Sequence, residues 1–262
     1  MGTLSSILRI PFRSKIFVEI FNNARVLPSH LIYGSQAFPE KILKDKFMAK
    51  RFKLSREFDV VEGSDSVFQH EVQSLLRTFD NLSKSANIST TPYTERVWLP
   101  ELPTVIHRII EKHQIEIKKY LGEGFLNETA LFWRNYKIKD VDLNQEVYSN
   151  LWHQDSSDGN RQLKIFVLPM RVGRFDGPFH YLPSDVSAKN FWRLRKRSIV
   201  SGQYPLQIDG QCLFLGEVGS YRILDTARHM HRAGTPDLYR DMLQVTLYPS
   251  WRPREYRQTY VR

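Results

Sequence analysis

After Gly124 the chain becomes a series of short strand-like runs separated by turn residues. One helical segment, at about residues 186–197, interrupts them. Many short strands at this spacing predict a sandwich or barrel, and a jelly roll is among the few all-β folds that protect their strand edges. We therefore predict a mainly β core over residues 126–262. The runs cover roughly residues 130–138, 146–153, 162–171, 211–215, 221–224 and 242–248.

The first 125 residues show helical rather than alternating periodicity. Apolar residues recur at helical spacing between residues 67 and 82, and again between residues 105 and 121. Pro103 suits the first turn of the second helix and Gly122 suits its end. We predict that this mostly helical half supports the β core, so that residues 1–262 form a single domain.

Composition limits the environment of the chain. It has no apolar stretch of about 18 residues, so no transmembrane segment is predicted. Its N-terminus lacks the pattern of an export signal, and its single cysteine, Cys212, cannot form an internal disulfide. A cytoplasmic location is therefore expected. The oligomeric state stays open.

The charge balance favours anionic partners. Lys and Arg total 38 against 28 for Asp and Glu, a net charge of +10. One basic cluster lies at Arg193, Arg195, Lys196 and Arg197. Too few aromatic residues accompany it to predict binding to nucleic acid. We instead expect a small-molecule substrate that bears phosphate or carboxylate, with a solvated basic surface as the simpler interpretation of the cluster.

A possible metal site begins at His153 and Asp155. Residues two apart in an extended segment point to the same side, so this pair can reach one ion together. An imidazole and a carboxylate make up two-thirds of the facial triad that binds non-haem Fe(II). The third ligand has two candidates, His229 and His231, and spacing alone does not choose between them.

Arg240 follows these histidines at a short interval. Fe(II), the Asp155 carboxylate and a bound 2-oxoglutarate sum to one negative charge, which an arginine would neutralise. A guanidinium also meets a carboxylate with two parallel hydrogen bonds. A hydrolytic zinc site would explain the histidines and the aspartate but not this arginine.

From about residue 130 to residue 250 the chain resembles the phytanoyl-CoA dioxygenase family of Fe(II)/2-oxoglutarate-dependent oxygenases. The resemblance implies a double-stranded β-helix, a cupin-like form of the jelly roll. The features that carry it are His153-Gln154-Asp155, the run Leu163-Lys164-Ile165-Phe166-Val167-Leu168, the segment Gly177-Pro178-Phe179-His180-Tyr181-Leu182-Pro183, Leu224-Asp225-Thr226, and His231-Arg232-Ala233-Gly234 followed by Arg240.

The resemblance also implies a set of site residues. It selects His231 over His229 as the third metal ligand and assigns Arg240 to 2-oxoglutarate. Asn135 is the candidate second anchor for this co-substrate, with Ser156 behind it. His180 occupies a variable position in the family's motif and is interpreted as a lining or structural residue, not a ligand.

The expected activity is that of a hydroxylase, or a related oxidase, that uses Fe(II), 2-oxoglutarate and O₂ to oxidise an unactivated C–H bond of a small molecule. The alternative is a catalytically silent homologue that serves as a binding module. The four residues His153, Asp155, His231 and Arg240 favour the enzyme, because a silent homologue has no need of all of them.

Overall fold

The computed structural model describes residues 50–249 except positions 52, 56, 84–87, 128, 143–146, 156–160 and 195–206. Its longer helices are α1 (Phe68–Ser83), α2 (Thr104–Lys112), α3 (Gln114–Leu121) and α4 (Ser184–Leu194), and a short 3-10 helix covers Asp140–Asp142. Its strands are β1 (Val61–Ser64), β2 (Ile88–Thr91), β3 (Thr94–Trp98), β4 (Leu126–Asn127), β5 (Leu131–Tyr136), β6 (Leu163–Val167), β7 (Phe179–Tyr181), β8 (Cys212–Phe214), β9 (Ser220–Leu224), β10 (His231–Ala233) and β11 (Tyr239–Tyr248).

Eight of these strands form one large antiparallel sheet in the order β1-β9-β6-β11-β5-β3-β2, with β4 paired to β11. Strand β11 is long and lies between β5 and β6. All but its first residue are buried, as expected for a central strand covered on both faces.

Strands β10, β7 and β8 form a second, smaller antiparallel sheet in that order. The two sheets pack face to face. The apolar cluster between them includes Phe166 and Met242 from the large sheet and Phe179 and Phe214 from the small one. The rings of Phe166 and Phe179 have centroids 4.6 Å apart.

The other face of the large sheet is covered by helices. Alternate residues of β6, β9 and β11 point away from the small sheet and pack against apolar side chains of α1, α2 and α3. Phe79 of α1, for example, contacts Phe132 of β5 at a centroid distance of 4.6 Å. The large sheet is therefore the wall between a helical layer and the interior of the β core.

This architecture confirms the prediction of a mainly β chain with antiparallel sheets and a few helices, consistent with a jelly-roll or cupin-like fold. The predicted helical half, residues 1–125, lies partly outside the described residues, which begin at residue 50. Within the described part, three strands, β1, β2 and β3, accompany the helices and extend the large sheet.

Two local predictions differ from the structure. The run at 146–153 has no regular strand among its described residues, because the Val147 N–H bonds to the Asn150 side chain and Ser149 adopts a positive φ of 63°. The helix predicted between Pro103 and Gly122 is two helices, since His113, with φ −111° and ψ 21°, ends α2 and begins α3.

Across the part of the chain that is described, we find no helix that combines the length and the apolar character needed to cross a membrane.

Candidate metal centre

Three side chains, His153, Asp155 and His231, meet between the two sheets. One ligand atom from each lies within 4.8 Å of the others. His153 and His231 stand directly opposite one another, because their backbones exchange two hydrogen bonds of 3.0 and 2.8 Å. Asp155 lies two residues along the same extended segment and so presents its carboxylate on the same side.

Both imidazole rings are held in an orientation suited to a metal. His153 Nδ1 lies 2.8 Å from the Leu151 carbonyl, and His231 Nδ1 lies 2.9 Å from the His229 carbonyl. A carbonyl only accepts, so each Nδ1 carries the proton and each Nε2 keeps its lone pair. The two Nε2 atoms lie 3.7 and 3.6 Å from the Asp155 carboxylate oxygens. Such a second hydrogen bond fixes the tautomer in many metal-binding histidines.

Asp155 is held by polar partners on its other side. Lys164 Nζ lies 2.8 Å from Asp155 Oδ2, and the Gln162 amide lies 3.4 Å from the same oxygen. Gln162 also donates to the Thr226 hydroxyl at 2.9 Å. Burial alone would raise the pKa of Asp155, but the charge of Lys164, together with hydrogen bonds from Lys164 and Thr226 and the proximity of His231, outweighs burial and holds this pKa below its ordinary value. The carboxylate is therefore ionised at neutral pH.

His229, the alternative to His231, is not part of this cluster. It is buried, and its Nδ1 hydrogen-bonds to the Asp225 carbonyl at 2.9 Å. Residue 229 lies in the turn between β9 and β10, so the alternation of a strand does not extend back from His231 to it. The turn is stabilised by the buried Asp225 carboxylate, which accepts hydrogen bonds from the Tyr120 hydroxyl and from the backbone N–H of Ala227.

Arg240 and Asn135 occupy facing positions on β11 and β5, and both are buried. Arg240 donates to the Gly177 carbonyl, which leads into the small sheet, so the guanidinium extends into the space between the sheets. Asn135 accepts a 2.8 Å hydrogen bond from the Thr94 hydroxyl through Oδ1, and its buried Nδ2 has no acceptor among the described residues. The orientation of this amide is therefore defined and its N–H groups are available.

The remaining predicted residues lie elsewhere or outside the described residues. His180 faces away from the triad and accepts a 3.1 Å hydrogen bond from Arg232. Burial and the charges of Arg232 and Arg240 lower the pKa of His180 to about 3, so it is neutral. Ser156 and positions 195–197 of the basic cluster are outside the described residues.

Sequence reasoning missed the residues that hold Asp155. The signal for Lys164 was present, because it is a single charge within an otherwise apolar strand and shares a face with Phe166. Gln162 and Thr226 gave no such signal, since polar residues at strand ends are common. Gln162 and Thr226 are 64 residues apart and come into contact only in the folded chain.

No protein-family profile and no curated protein matches the chain. Among solved structures, the chain is similar to SnoN, described as a non-heme alpha-ketoglutarate-dependent epimerase from nogalamycin biosynthesis. That match has a TM-score of 0.50 at 14% identity and covers 79% of this chain and 87% of SnoN. EctD from S. alaskensis, in its apoform, gives 0.49 at 16% identity and covers 76% of each chain. HygX from Streptomyces hygroscopicus, with nickel and 2-oxoglutarate bound, gives 0.46 at 16% identity and covers 73% of this chain and 82% of HygX.

At 14% identity the similarity to SnoN establishes a shared fold and nothing about chemistry. The chemistry depends on the residues of the site. A His-Asp-His cluster that could bind a metal is present between the sheets of that fold.

Proposed function

We propose that the protein is a non-haem Fe(II)/2-oxoglutarate-dependent dioxygenase with a double-stranded β-helix core, of the kind found in the phytanoyl-CoA dioxygenase family. Its reaction would be the hydroxylation, or another oxidation, of an unactivated C–H bond in a small anionic molecule. His153, Asp155 and His231 would bind the metal, and Arg240 and Asn135 would bind 2-oxoglutarate.

The observation that carries this proposal is the convergence of two Nδ1-protonated histidines and one ionised carboxylate within 4.8 Å. Two nitrogens and one oxygen form the donor set typical of facial Fe(II) sites, which leave other positions of the metal open. Bound Fe(II), with 2-oxoglutarate and O₂, supplies the oxidising power that no protein side chain has.

Two buried nitrogen donors suit the co-substrate. The Arg240 guanidinium provides a charge and a planar pair of N–H groups for a carboxylate. The Asn135 amide faces it across the β5–β11 pair and brings a buried N–H that has no acceptor in the described part of the chain. A buried donor left without an acceptor costs about 1–3 kcal/mol, so a carboxylate here would recover stability that the free protein lacks.

The protein would also exclude water from the reaction. Phe179 lies against His231 with ring centroids 5.5 Å apart, and Phe166 lies behind Phe179. These rings make one wall of the site apolar. Lys164 and Gln162 hold Asp155 from the other side, so that the carboxylate is fixed before any ligand arrives. A fixed carboxylate loses less conformational entropy when a metal binds.

The test is the anaerobic addition of Fe(II) and 2-oxoglutarate, followed by visible absorption spectroscopy. We expect the weak charge-transfer band of a metal-bound 2-oxo acid in the wild type, and no band in His231→Ala. The matched control is His229→Ala, because His229 is an equally buried histidine two residues away that contacts the Asp225 carbonyl instead.

A wild-type protein that binds Fe(II) without developing the band would contradict the assignment of Arg240 and Asn135. A protein that binds neither would instead support the silent homologue. Loss of the band in His229→Ala, with His231→Ala unaffected and both variants folded, would reverse the choice of the third ligand.

A further inference from the structure

Three N–H donors without acceptors among the described residues lie on the inner face of the large sheet. The atoms Arg96 Nε, Trp133 Nε1 and Asn135 Nδ2 are all buried, and none of them has a hydrogen-bond partner there. Buried polar atoms are nearly always satisfied in folded proteins, so three neighbouring exceptions need an explanation. All three are donors, and each missing partner is therefore an acceptor.

The sheet register places these donors in two adjacent rows. Thr94, Asn135 and Arg240 face one another across β3, β5 and β11, and form the row assigned above to 2-oxoglutarate. Arg96 stands opposite Trp133 in the next row on the same face. Residues two apart in a strand are separated by roughly 7 Å, so the Arg96–Trp133 row is close to the first without being part of it.

Arg96 is held in place by Trp133. Its guanidinium carbon lies 4.4 Å from the centroid of the indole ring. Stacking orders the guanidinium and leaves its N–H groups to form hydrogen bonds in the guanidinium plane. Trp133 in turn packs against the apolar cluster that contains Phe179, the neighbour of His231. The arginine thus belongs to the same interior as the metal cluster.

The charge of Arg96 has no counterpart in the described part of the chain. Arg108 and Arg134, by comparison, each bind a carboxylate at 2.7–2.8 Å. On the inner face, Lys164 pairs with Asp155 and Arg222 pairs with Glu62. Burial lowers the pKa of the Arg96 guanidinium, and no acidic group offsets this effect. An arginine nevertheless stays charged at neutral pH, so Arg96 is a partly buried, surplus cation among the described residues.

We propose that Arg96, with the Trp133 indole N–H beside it, is the subsite that binds a carboxylate or phosphate group of the primary substrate. The inference rests on the proposed function, because it assigns the row of Asn135 and Arg240 to 2-oxoglutarate and this second row to the substrate. A carboxylate and a phosphate both present negatively charged oxygens to this subsite. Arg96 supplies its charge, and the Arg96 and Trp133 N–H groups supply its hydrogen bonds.

The first experiment uses inorganic phosphate as the probe, titrated calorimetrically into the metal-free protein. We expect Arg96→Leu to weaken phosphate binding at least tenfold, because it removes both the charge and the Nε donor. Trp133→Phe, which keeps a ring under the guanidinium, should weaken it less. The matched control is Arg171→Leu, since Arg171 is 78% exposed and pairs with Glu217 on the surface.

The second experiment measures the binding of 2-oxoglutarate to the nickel-loaded protein with the same variants. Arg96→Leu should bind it as the wild type does, whereas Arg240→Leu should lose binding. If Arg96→Leu weakens 2-oxoglutarate binding and leaves phosphate binding unchanged, Arg96 is a co-substrate anchor and the inference is overturned. Equal phosphate affinity in wild type and Arg96→Leu also overturns it.

The two proposals fail in different ways. If the wild type binds neither nickel nor 2-oxoglutarate but still binds phosphate through Arg96, the oxygenase proposal is refuted and the anion-binding site remains. Arg96→Lys is the control for misfolding of Arg96→Leu. It retains the charge, so its affinity for phosphate should lie between those of the wild type and Arg96→Leu. If Arg96→Lys and Arg96→Leu bind phosphate equally weakly while both melt at the wild-type temperature, charge recognition by residue 96 is excluded.

Discussion

Replacement of Lys164 by Met tests how strongly the folded chain holds the Asp155 carboxylate. Methionine preserves most of the apolar stem of lysine and removes the ammonium, which lies 2.8 Å from Asp155 Oδ2. The two side chains are only 15% and 17% exposed, so solvent screens the pair weakly. We expect the metal-free variant to be less stable than the metal-free wild type at neutral pH.

The size of the effect follows from the pKa of Asp155, which is lowered to about 2 in the folded protein. The same carboxyl in an unfolded chain has a pKa of about 3.9, and the difference corresponds to about 2–3 kcal/mol of stability. Because the folded-state pKa is the lower one, this stability is fully present above about pH 5 and is lost as the pH falls toward 2.

The assay is urea unfolding of the wild type and Lys164→Met at pH 7 and again near pH 3, with chelator present. The free energy of unfolding should differ by about 2–3 kcal/mol at pH 7, and the difference should shrink at the lower pH. A double-mutant cycle with Asp155→Asn isolates the energy of the pair from other effects of each substitution.

The matched control is Lys189→Met, which removes the lysine of a solvent-exposed Lys–Asp pair. Lys189 and Asp185 lie 3.5 Å apart and are 71% and 65% exposed, so this pair should contribute less than about 1 kcal/mol at any pH. If Lys164→Met is no more destabilising than Lys189→Met, or if its effect is the same at both pH values, the proposed electrostatic hold on Asp155 is wrong.

Three further predictions concern other parts of the site. Gly177→Ala should lower the free energy of unfolding by about 1–3 kcal/mol, because φ is +64° at this position and a Cβ would lie 2.3 Å from the backbone of Pro236. The substitution should also weaken 2-oxoglutarate binding, measured by calorimetric titration, because it moves the carbonyl that Arg240 contacts. Tyr120→Phe should cost about 1–3 kcal/mol in urea unfolding, because it leaves the buried Asp225 without its hydroxyl donor. Nickel at 100 times its dissociation constant should stabilise the wild type by about 2.7 kcal/mol and His231→Ala hardly at all, so equal thermal shifts in both would contradict metal binding by His231.

The sequence determined the features that depend on short-range pattern. Short apolar runs located β5, β6, β9 and β11, and helical periodicity located α1, because the residues that each element buries lie next to one another or at a fixed spacing in the sequence. The sequence also predicted that His153 and Asp155 lie on the same side, since residues two apart in an extended segment do so in any fold.

The tertiary structure decided which distant groups meet. The turn that ends before β10 separates His229 from His231, and only the pairing of His231 with His153 brings one of them to the cluster. Lys164 reaches Asp155 because it pairs with Leu224 at the end of β9, and the Asp155 N–H bonds to the carbonyl of Thr226, two residues further along.

The same holds for the surplus cation. In the sequence, Arg96 is one of many arginines with no distinguishing neighbour. Its importance follows from the register that stacks it on Trp133 and from the lack of a carboxylate nearby in the described structure. Whether a buried charge has a partner depends on side chains from elements that are far apart in the chain. A local sequence pattern therefore cannot predict it, and only the folded structure shows it.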